Sequence, residues 1–382
     1  MKGFKNVLIY VENEGFVKTS IGVDDGIIKA IGNDLDVIQY ANLPSDAFVV
    51  PGFIDQHIHG AKGSDAMDGT FEDLEKIALG LAEEGTTAFL ATTMTQSVPN
   101  ITKALNNVDE YMKHDNPLGA RVLGVHLEGP FISPAHVGAQ PLEYVQKPSV
   151  ENFKVYDEAS GHHIKEVTLA PEIDGALDLI KYLKEKHIVA SIGHTAAGYD
   201  ECEKAVRAGA SNVTHTYNAQ KALHHREVGT VGSAMLFDEL NCELICDTIH
   251  VSVPAIKLVI KNKPHDKVTL ITDAMRAKGM PDGDYELGGQ PVIVKNKEAR
   301  LENGTLAGSV LLMKDAIKNV HEKCDIELTK VIDMATINPA KNLGLDHERG
   351  SIKVGKVADF TVLNKNFDVL LTIRDGRIIY KK

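Results

Sequence analysis

The chain has 382 residues, with 41 lysines and arginines against 53 aspartates and glutamates, giving a formal net charge of −12. An acidic chain without a Lys/Arg block lacks the clustered cations that grip a nucleic-acid backbone or an anionic membrane. No window approaches the ~18 consecutive apolar residues of a membrane helix, and a chain this long buries roughly 70 to 75% of its unfolded surface without needing a disulfide or a structural zinc.

In chain order, the segment Met1–Tyr10 lacks the apolar core and small-residue cleavage site of a secretory signal. Residues 1–50 read as short strands, Asn6–Val11, Phe16–Val23 and Gly26–Gly32, punctuated by Gly, Asn and Asp turns. The end of the chain has the same texture: Ala358–Leu363, Asp368–Ile373 and Arg377–Tyr380 alternate apolar and polar residues around the turn Asp375-Gly376. Residues 1–50 and 350–382 are therefore expected to build one small β-sandwich domain.

Between them, short apolar runs alternate with amphipathic stretches, the rhythm of strand and helix. The runs are Gly52–His59, Thr86–Thr92, Arg121–Glu128, Val167–Glu172, Ile188–His194, Val213–Asn218, Glu243–His250 and Lys267–Asp273. Each is nearly continuous in apolar character, as a strand buried on both faces should be, and eight of them predict an α/β fold, a closed (β/α)8 TIM-like barrel over residues 51–349. Residues 279–305 break the rhythm, and their Gly and Asn-Gly turns suggest a β-hairpin inserted over the barrel mouth.

The ionisable residues gather at the C-terminal ends of these runs, where barrels build their active sites. Among 16 histidines, His57 and His59 sit two apart on the first run, facing the same side ~6.6 Å apart along the strand. Glu128, His194, His215, His250 and Asp273 end later runs. Imidazoles and carboxylates are ligands for zinc, iron and similar divalent ions, so a metal-dependent hydrolase is expected. A single strand-end histidine is more often structural, and His126, His162, His163, His187 and His321 are read that way. The recurrence at one end of successive strands resists that reading, because burying so many titratable groups together costs several kcal/mol unless something pairs them. His224, His225 and Arg226 follow the sixth run, and a planar guanidinium beside the mouth suits an anionic group of a substrate. Cys202, Cys242, Cys246 and Cys324 form no CxxC pair and read as isolated buried thiols of a reducing compartment.

The segments PGFIDQHIHG (Pro51–Gly60) and GSIKVGKVADFTVLN (Gly350–Asn364) resemble the boundary segments of the amidohydrolase superfamily. HLEGPF (His126–Phe131), GAQ (Gly138–Gln140), LAPE (Leu169–Glu172), GHT (Gly193–Thr195), THTYNA (Thr214–Ala219), HHRE (His224–Glu227), TDAM (Thr272–Met275) and LAGS (Leu306–Ser309) are similar to the motifs of its N-acetylglucosamine-6-phosphate deacetylase family. The likeness spans essentially the whole chain.

The resemblance implies a cytoplasmic enzyme of amino-sugar catabolism and cell-wall recycling that removes the acetyl group of a small phosphorylated amino sugar. It implies one or two divalent metal ions per subunit, zinc or iron, held by His57, His59, Glu128, His194, His215 and Asp273, with Glu128 bridging. It implies the catalytic roles for Asp273 and His250. Asn218, Ala219, His225 and Arg226 are implied at the phosphate, His250 near the sugar and reacting carbonyl, Leu306 and Ala307 around the acetamide, and Gln140 at a substrate position. Family members are commonly homodimers with a neighbour's side chain near the phosphate. Glu172 stands where a bridging lysine would end strand four, which disfavours the dihydroorotase type of centre. Gln220, Val228 and Thr248 depart from the family's usual Met, Pro and Gly. A dihydroorotase- or deaminase-like amidohydrolase is the alternative enzyme, and a non-catalytic protein of the same fold is the alternative outside enzymes.

Overall fold

The computed structural model describes the whole chain, Met1–Lys382. Its larger body is an eight-stranded parallel sheet, with strands one to eight at Phe53–Ile58, Thr86–Thr92, Arg121–Glu128, Ile164–Leu169, Val189–Ile192, Asn212–Val213, Asn241–Ile245 and Val268–Ile271. Each strand pairs with the next in sequence order. The first and last meet through the Asp273 main-chain N–H, which donates to the His57 carbonyl at 2.9 Å, and through the Thr272 hydroxyl on Asp55 Oδ2 at 2.5 Å. The strands are buried on both faces, which is why they read as unbroken apolar runs.

A helix follows every strand, at Phe71–Ala82, Val98–Lys113, Val150–Ala159, Ala176–Glu185, Tyr199–Ala208, Gly229–Leu236, Val253–Asn262 and Met313–Cys324. Helix starts are set locally where a hydroxyl caps them: Thr70, Ser97 and Ser149 accept from the N–H three residues on. The apolar faces of these helices close a barrel core that includes Leu74, Ile101, Leu179 and Ile317. No helix is long and apolar enough to cross a membrane.

The two chain ends share one sheet. Its order runs Arg377–Lys381, Val369–Arg374, Phe360–Leu363, Phe48–Pro51, Lys2–Val11, Gly15–Asp24, Ile27–Gly32, with Ile38–Gln39 beside Lys2–Val11. The sheet folds back on itself: the Ile28 N–H donates to the Lys356 carbonyl at 2.9 Å, and the rings of Phe4 and Phe360 pack edge to face. The two layers of the expected sandwich are thus parts of one continuous sheet around a core that includes Phe4, Ile21, Val49 and Phe360. Thr361 and Thr372 tie it to the barrel through hydroxyl bonds to the carbonyls of Gly85 and Ala82.

Three expectations are corrected. Strand four runs Ile164–Leu169, three residues earlier than the apolar run suggested, because Glu166 points into a polar barrel interior. Strand six is two residues long, and the chain turns before His215. The inserted hairpin is a three-stranded antiparallel sheet, Gly283–Leu287, Gln290–Lys295 and Glu298–Leu301; the Asn296-Lys297 turn, with both φ values positive, adds the third strand.

Candidate active site

The site is made where the barrel strands stop. His57 lies within strand one and Glu128 is the last residue of strand three, whereas His194, His215 and Asp273 each lie two residues beyond their strands. Those three adopt φ of 47°, 30° and 47°. Left-handed backbone at a non-glycine residue costs about 1–3 kcal/mol and persists only where the surroundings impose it. Here it swings side chains that would have continued along a strand into the barrel mouth.

Two trios of metal-ligating groups result, His57–His59–Glu128 and Glu128–His194–His215, all buried and sharing Glu128. Glu128 Oε1 is 3.2 Å from His194 Nε2 and 3.1 Å from His215 Nε2, while Oε2 is 3.3 Å from His59 Nε2. Asp273 belongs to neither trio but stands beside the first, with Oδ1 3.4 Å from His57 Nε2 and 3.2 Å from His59 Nε2.

The rings are aimed from behind. His57 Nδ1 meets Glu243 Oε2 at 3.1 Å and His194 Nδ1 meets the His136 carbonyl at 2.9 Å. Acceptors there place the hydrogen on Nδ1 and turn the Nε2 lone pairs inward. His57 Nε2 is fully buried and has no hydrogen-bond partner, the condition of a lone pair facing a cation position. Donor chemistry and orphaned nitrogen both fit a divalent ion.

The charges agree. Burial opposes ionisation of Asp273, yet the imidazoles of His57 and His59 hold its carboxyl down at about 2. Burial opposes a charged His57 too, and Asp273 and Glu128 outweigh it, lifting the ring to about 9, so between these carboxylates Nε2 holds either a proton or a cation, and a bound ion would displace the proton. Glu128 lies well below the usual carboxylate range despite its burial, through His57 and the hydrogen bonds of the other rings. The carboxylates are thus ionised, as ligands must be.

Above the trios lies a cavity of about 340 Å³ whose walls include His59, Glu128, Gln140, Asn218, Ala219, His250, Asp273 and Leu306. Most sequence-predicted residues therefore converge. Four are placed differently from the rest. Ala307 is buried away from the cavity in the core of the inserted sheet, because its N–H pairs with the Ala299 carbonyl. His225 and Arg226 lie on an exposed loop closed by reciprocal main-chain bonds between His224 and Glu227, and neither lines this cavity. Gln140 is spent on Glu128: its Nε2 donates to Oε2 at 2.7 Å while its Oε1 accepts from the Thr95 N–H at 2.6 Å.

Sequence reasoning missed Glu243, whose carboxylate serves His57 and also accepts from Gln56, Asn212 and the His215 N–H. Its signal was an isolated acid inside an apolar strand. It missed Asp247, which grips His250, and Arg300 of the inserted sheet, which reaches the cavity rim. His126, read as structural, bonds the Thr168 hydroxyl at 2.7 Å and is held low, at about 3, by burial and by the neighbouring His57. A cavity of about 500 Å³ at the junction of the two bodies is lined by charges that pair with each other, such as Arg121 with Asp375.

The amidohydrolase family model matches residues 48–379. The chain is 43% identical over 381 residues to an N-acetylglucosamine-6-phosphate deacetylase of Bacillus subtilis (strain 168), covering 98% of this chain and 96% of that one. It is 37% identical to an N-acetylgalactosamine-6-phosphate deacetylase of Escherichia coli O157:H7, with 91% of each chain covered. A crystal structure of N-acetylglucosamine-6-phosphate deacetylase from Thermotoga maritima superposes with a TM-score of 0.90 at 34% identity, over 100% of both chains. The metal-dependent chemistry of the family and the buried histidine–glutamate trios agree. The chain belongs to the amidohydrolase family, among its N-acetylglucosamine-6-phosphate deacetylases.

Proposed function

We propose that the protein hydrolyses the acetamide of N-acetylglucosamine 6-phosphate, releasing acetate and glucosamine 6-phosphate. The observation that carries this reading is the pair of trios joined at Glu128, with Asp273 beside them and a sugar-sized cavity above. His57, His59, Glu128, His194 and His215 hold one or two divalent ions, zinc or iron. When bound, such an ion supplies Lewis acidity to the amide carbonyl and makes water acidic enough to attack near neutral pH.

The remaining steps belong to this chain's side chains. Asp273, ionised and facing the cavity, takes the proton of the attacking water on its carboxylate and returns it to the leaving nitrogen. That two-way transfer needs one carboxylate within reach of both atoms. His250 faces the carbonyl oxygen as negative charge develops on it. Asn218 and Ala219 line the phosphate end of the cavity and Leu306 its acetamide end. Gln140 orients Glu128 through the hydrogen bond that its Nε2 donates to Oε2.

The protein acts as a cytoplasmic homodimer. The four cysteines are free and buried, which suits a reducing compartment. The loop His224–Arg226 is exposed and absent from its own cavity, so in a dimer it is free to reach the partner's phosphate site. Steady-state kinetics on N-acetylglucosamine 6-phosphate, its galactosamine epimer, the unphosphorylated sugar and dihydroorotate test the reading. The phosphorylated glucosamine is the preferred substrate, and a preference for dihydroorotate overturns it.

A further inference from the structure

Barrel strand seven ends at Ile245, and the next five residues carry the chain to His250 at the cavity. Asp247 is the pivot of that turn. Its Oδ1 accepts from the main-chain N–H groups of Ile249 and His250, both at 2.8 Å, and its Oδ2 lies 2.6 Å from His250 Nδ1. Between them Thr248 holds φ at +68°, a region that a β-branched residue enters only when its surroundings enforce it. The side chains of Asp247 and His250 are 8% and 6% exposed.

An ionised carboxylate has no hydrogen to give, so His250 Nδ1 carries the N–H and Nε2 is the nitrogen left for the cavity. We infer that Asp247 is a positioning residue for the hydrolysis proposed above, fixing the ring orientation and tautomer of His250 so that Nε2 meets the reacting carbonyl. The inference rests on that functional reading. Asp247 touches no substrate and acts through the ring. When Nε2 also bears a hydrogen, it donates to the oxygen on which charge develops, and Asp247 is the counter-charge at the far nitrogen. The same logic lets a buried aspartate orient the histidine of a serine hydrolase.

The three bonds also say which replacement is informative. Asparagine keeps an Oδ1 for the two main-chain N–H groups, so the turn survives, but it sets an amide hydrogen against Nδ1 and reverses the tautomer. Serine caps the turn and removes the contact with the ring.

The test compares Asp247→Asn, Asp247→Ser, His250→Ala and the double variant Asp247→Asn with His250→Ala, all as metal-reconstituted full-length protein. Acetate release from N-acetylglucosamine 6-phosphate and nitrogen spectra of ¹⁵N-histidine-labelled protein are recorded for each. Asp247→Asn is expected to lose on the order of 10² to 10⁴ in kcat, the span of an acid–base or histidine-orienting contribution. Its KM, metal content and melting temperature stay at the wild-type level. The double variant is no slower than His250→Ala, because groups that act as a unit lose their contribution once. One imidazole changes tautomer in the Asp247→Asn spectrum, and it is the one missing from His250→Ala. Asp247→Ser shows the same kinetic loss, which keeps the test open should the asparagine variant not fold.

Wild-type kcat in Asp247→Asn, multiplying losses in the double variant, or unchanged His250 signals would each overturn the assignment. If the wild-type protein releases no acetate from the sugar phosphate, the functional reading falls by itself, and the spectra alone decide whether Asp247 sets the tautomer.

Discussion

The main-chain N–H of Asp273 donates to the carbonyl of His57 at 2.9 Å. That bond is part of the barrel's closing seam, and the same two residues bring Oδ1 and Nε2 to 3.4 Å in the mouth. Closure and site therefore share one joint: the eighth strand cannot dock on the first without setting the Asp273 carboxylate beside the histidine pair.

The joint makes Asp273→Asn the sharpest probe of proton transfer. The amide conserves shape and the main-chain bond but cannot take a proton. Turnover is expected to fall by on the order of 10² to 10⁴, with metal content retained. Near-normal kcat, with metal measured on the same sample, would remove Asp273 from its role.

Glu243 sits behind His57, with its carboxyl held at about 2 against burial by the hydrogen bond and charge of that ring. Glu243→Gln replaces the acceptor opposite Nδ1 with an amide that can flip, loosening the ring that faces the ions. A group of this kind contributes roughly 10- to 100-fold to metal affinity. Equilibrium dialysis against zinc should show that weakening, and unchanged affinity would make Glu243 a purely structural member of the barrel interior.

Lys278 is 2% exposed and lies 2.5 Å from Glu84 Oε1, with Asp55 nearby. Burial pushes the Glu84 carboxyl above its ordinary range, and the Lys278 ammonium opposes that push. A carboxyl whose folded pKa is raised binds its proton more tightly folded than unfolded, so its contribution to stability declines as pH rises above the unfolded value. Lys278→Met removes the opposing charge and should destabilise the protein by about 3–5 kcal/mol near neutrality, and by less in mild acid. Denaturant unfolding at the two conditions checks the sign; an equal loss at both would show that Glu84 is not the group left unpaired.

Arg226→Ala should raise KM for the phosphorylated sugar well above its effect on the unphosphorylated one, because a guanidinium grips phosphate oxygens in pairs. Initial rates on the two sugars decide it. Equal effects would mean that the exposed loop does not read phosphate.

How much of this was legible in the sequence depended on what each residue does. Strands Thr86–Thr92 and Arg121–Glu128 lie where the apolar runs placed them, since burial on both faces leaves an unambiguous mark. Strand six misled, because Thr214, Thr216 and Tyr217 have strand-forming side chains while the backbone turns left-handed at His215 and Tyr217 to aim a ligand. Composition does not display that strain. Glu166 and Glu243 share the barrel interior through Asn212 and Gln56, which shifted strand four from its apolar centre. The convergence of His57, His59, Glu128, His194, His215 and Asp273 was readable because the barrel sends every strand end to one mouth. Arg226 does not line the cavity of its own chain, since closeness in sequence to a strand end does not say which way a loop leaves it.

Metal-dependent deacetylation of the sugar phosphate is read directly from product release by chelator-stripped protein before and after zinc or ferrous ion is restored. Stripped protein is predicted to release neither acetate nor glucosamine 6-phosphate from N-acetylglucosamine 6-phosphate, and restored protein to release both in equal amounts as ion is bound. Full release by the stripped protein, or none after restoration, would contradict a metal-dependent deacetylase.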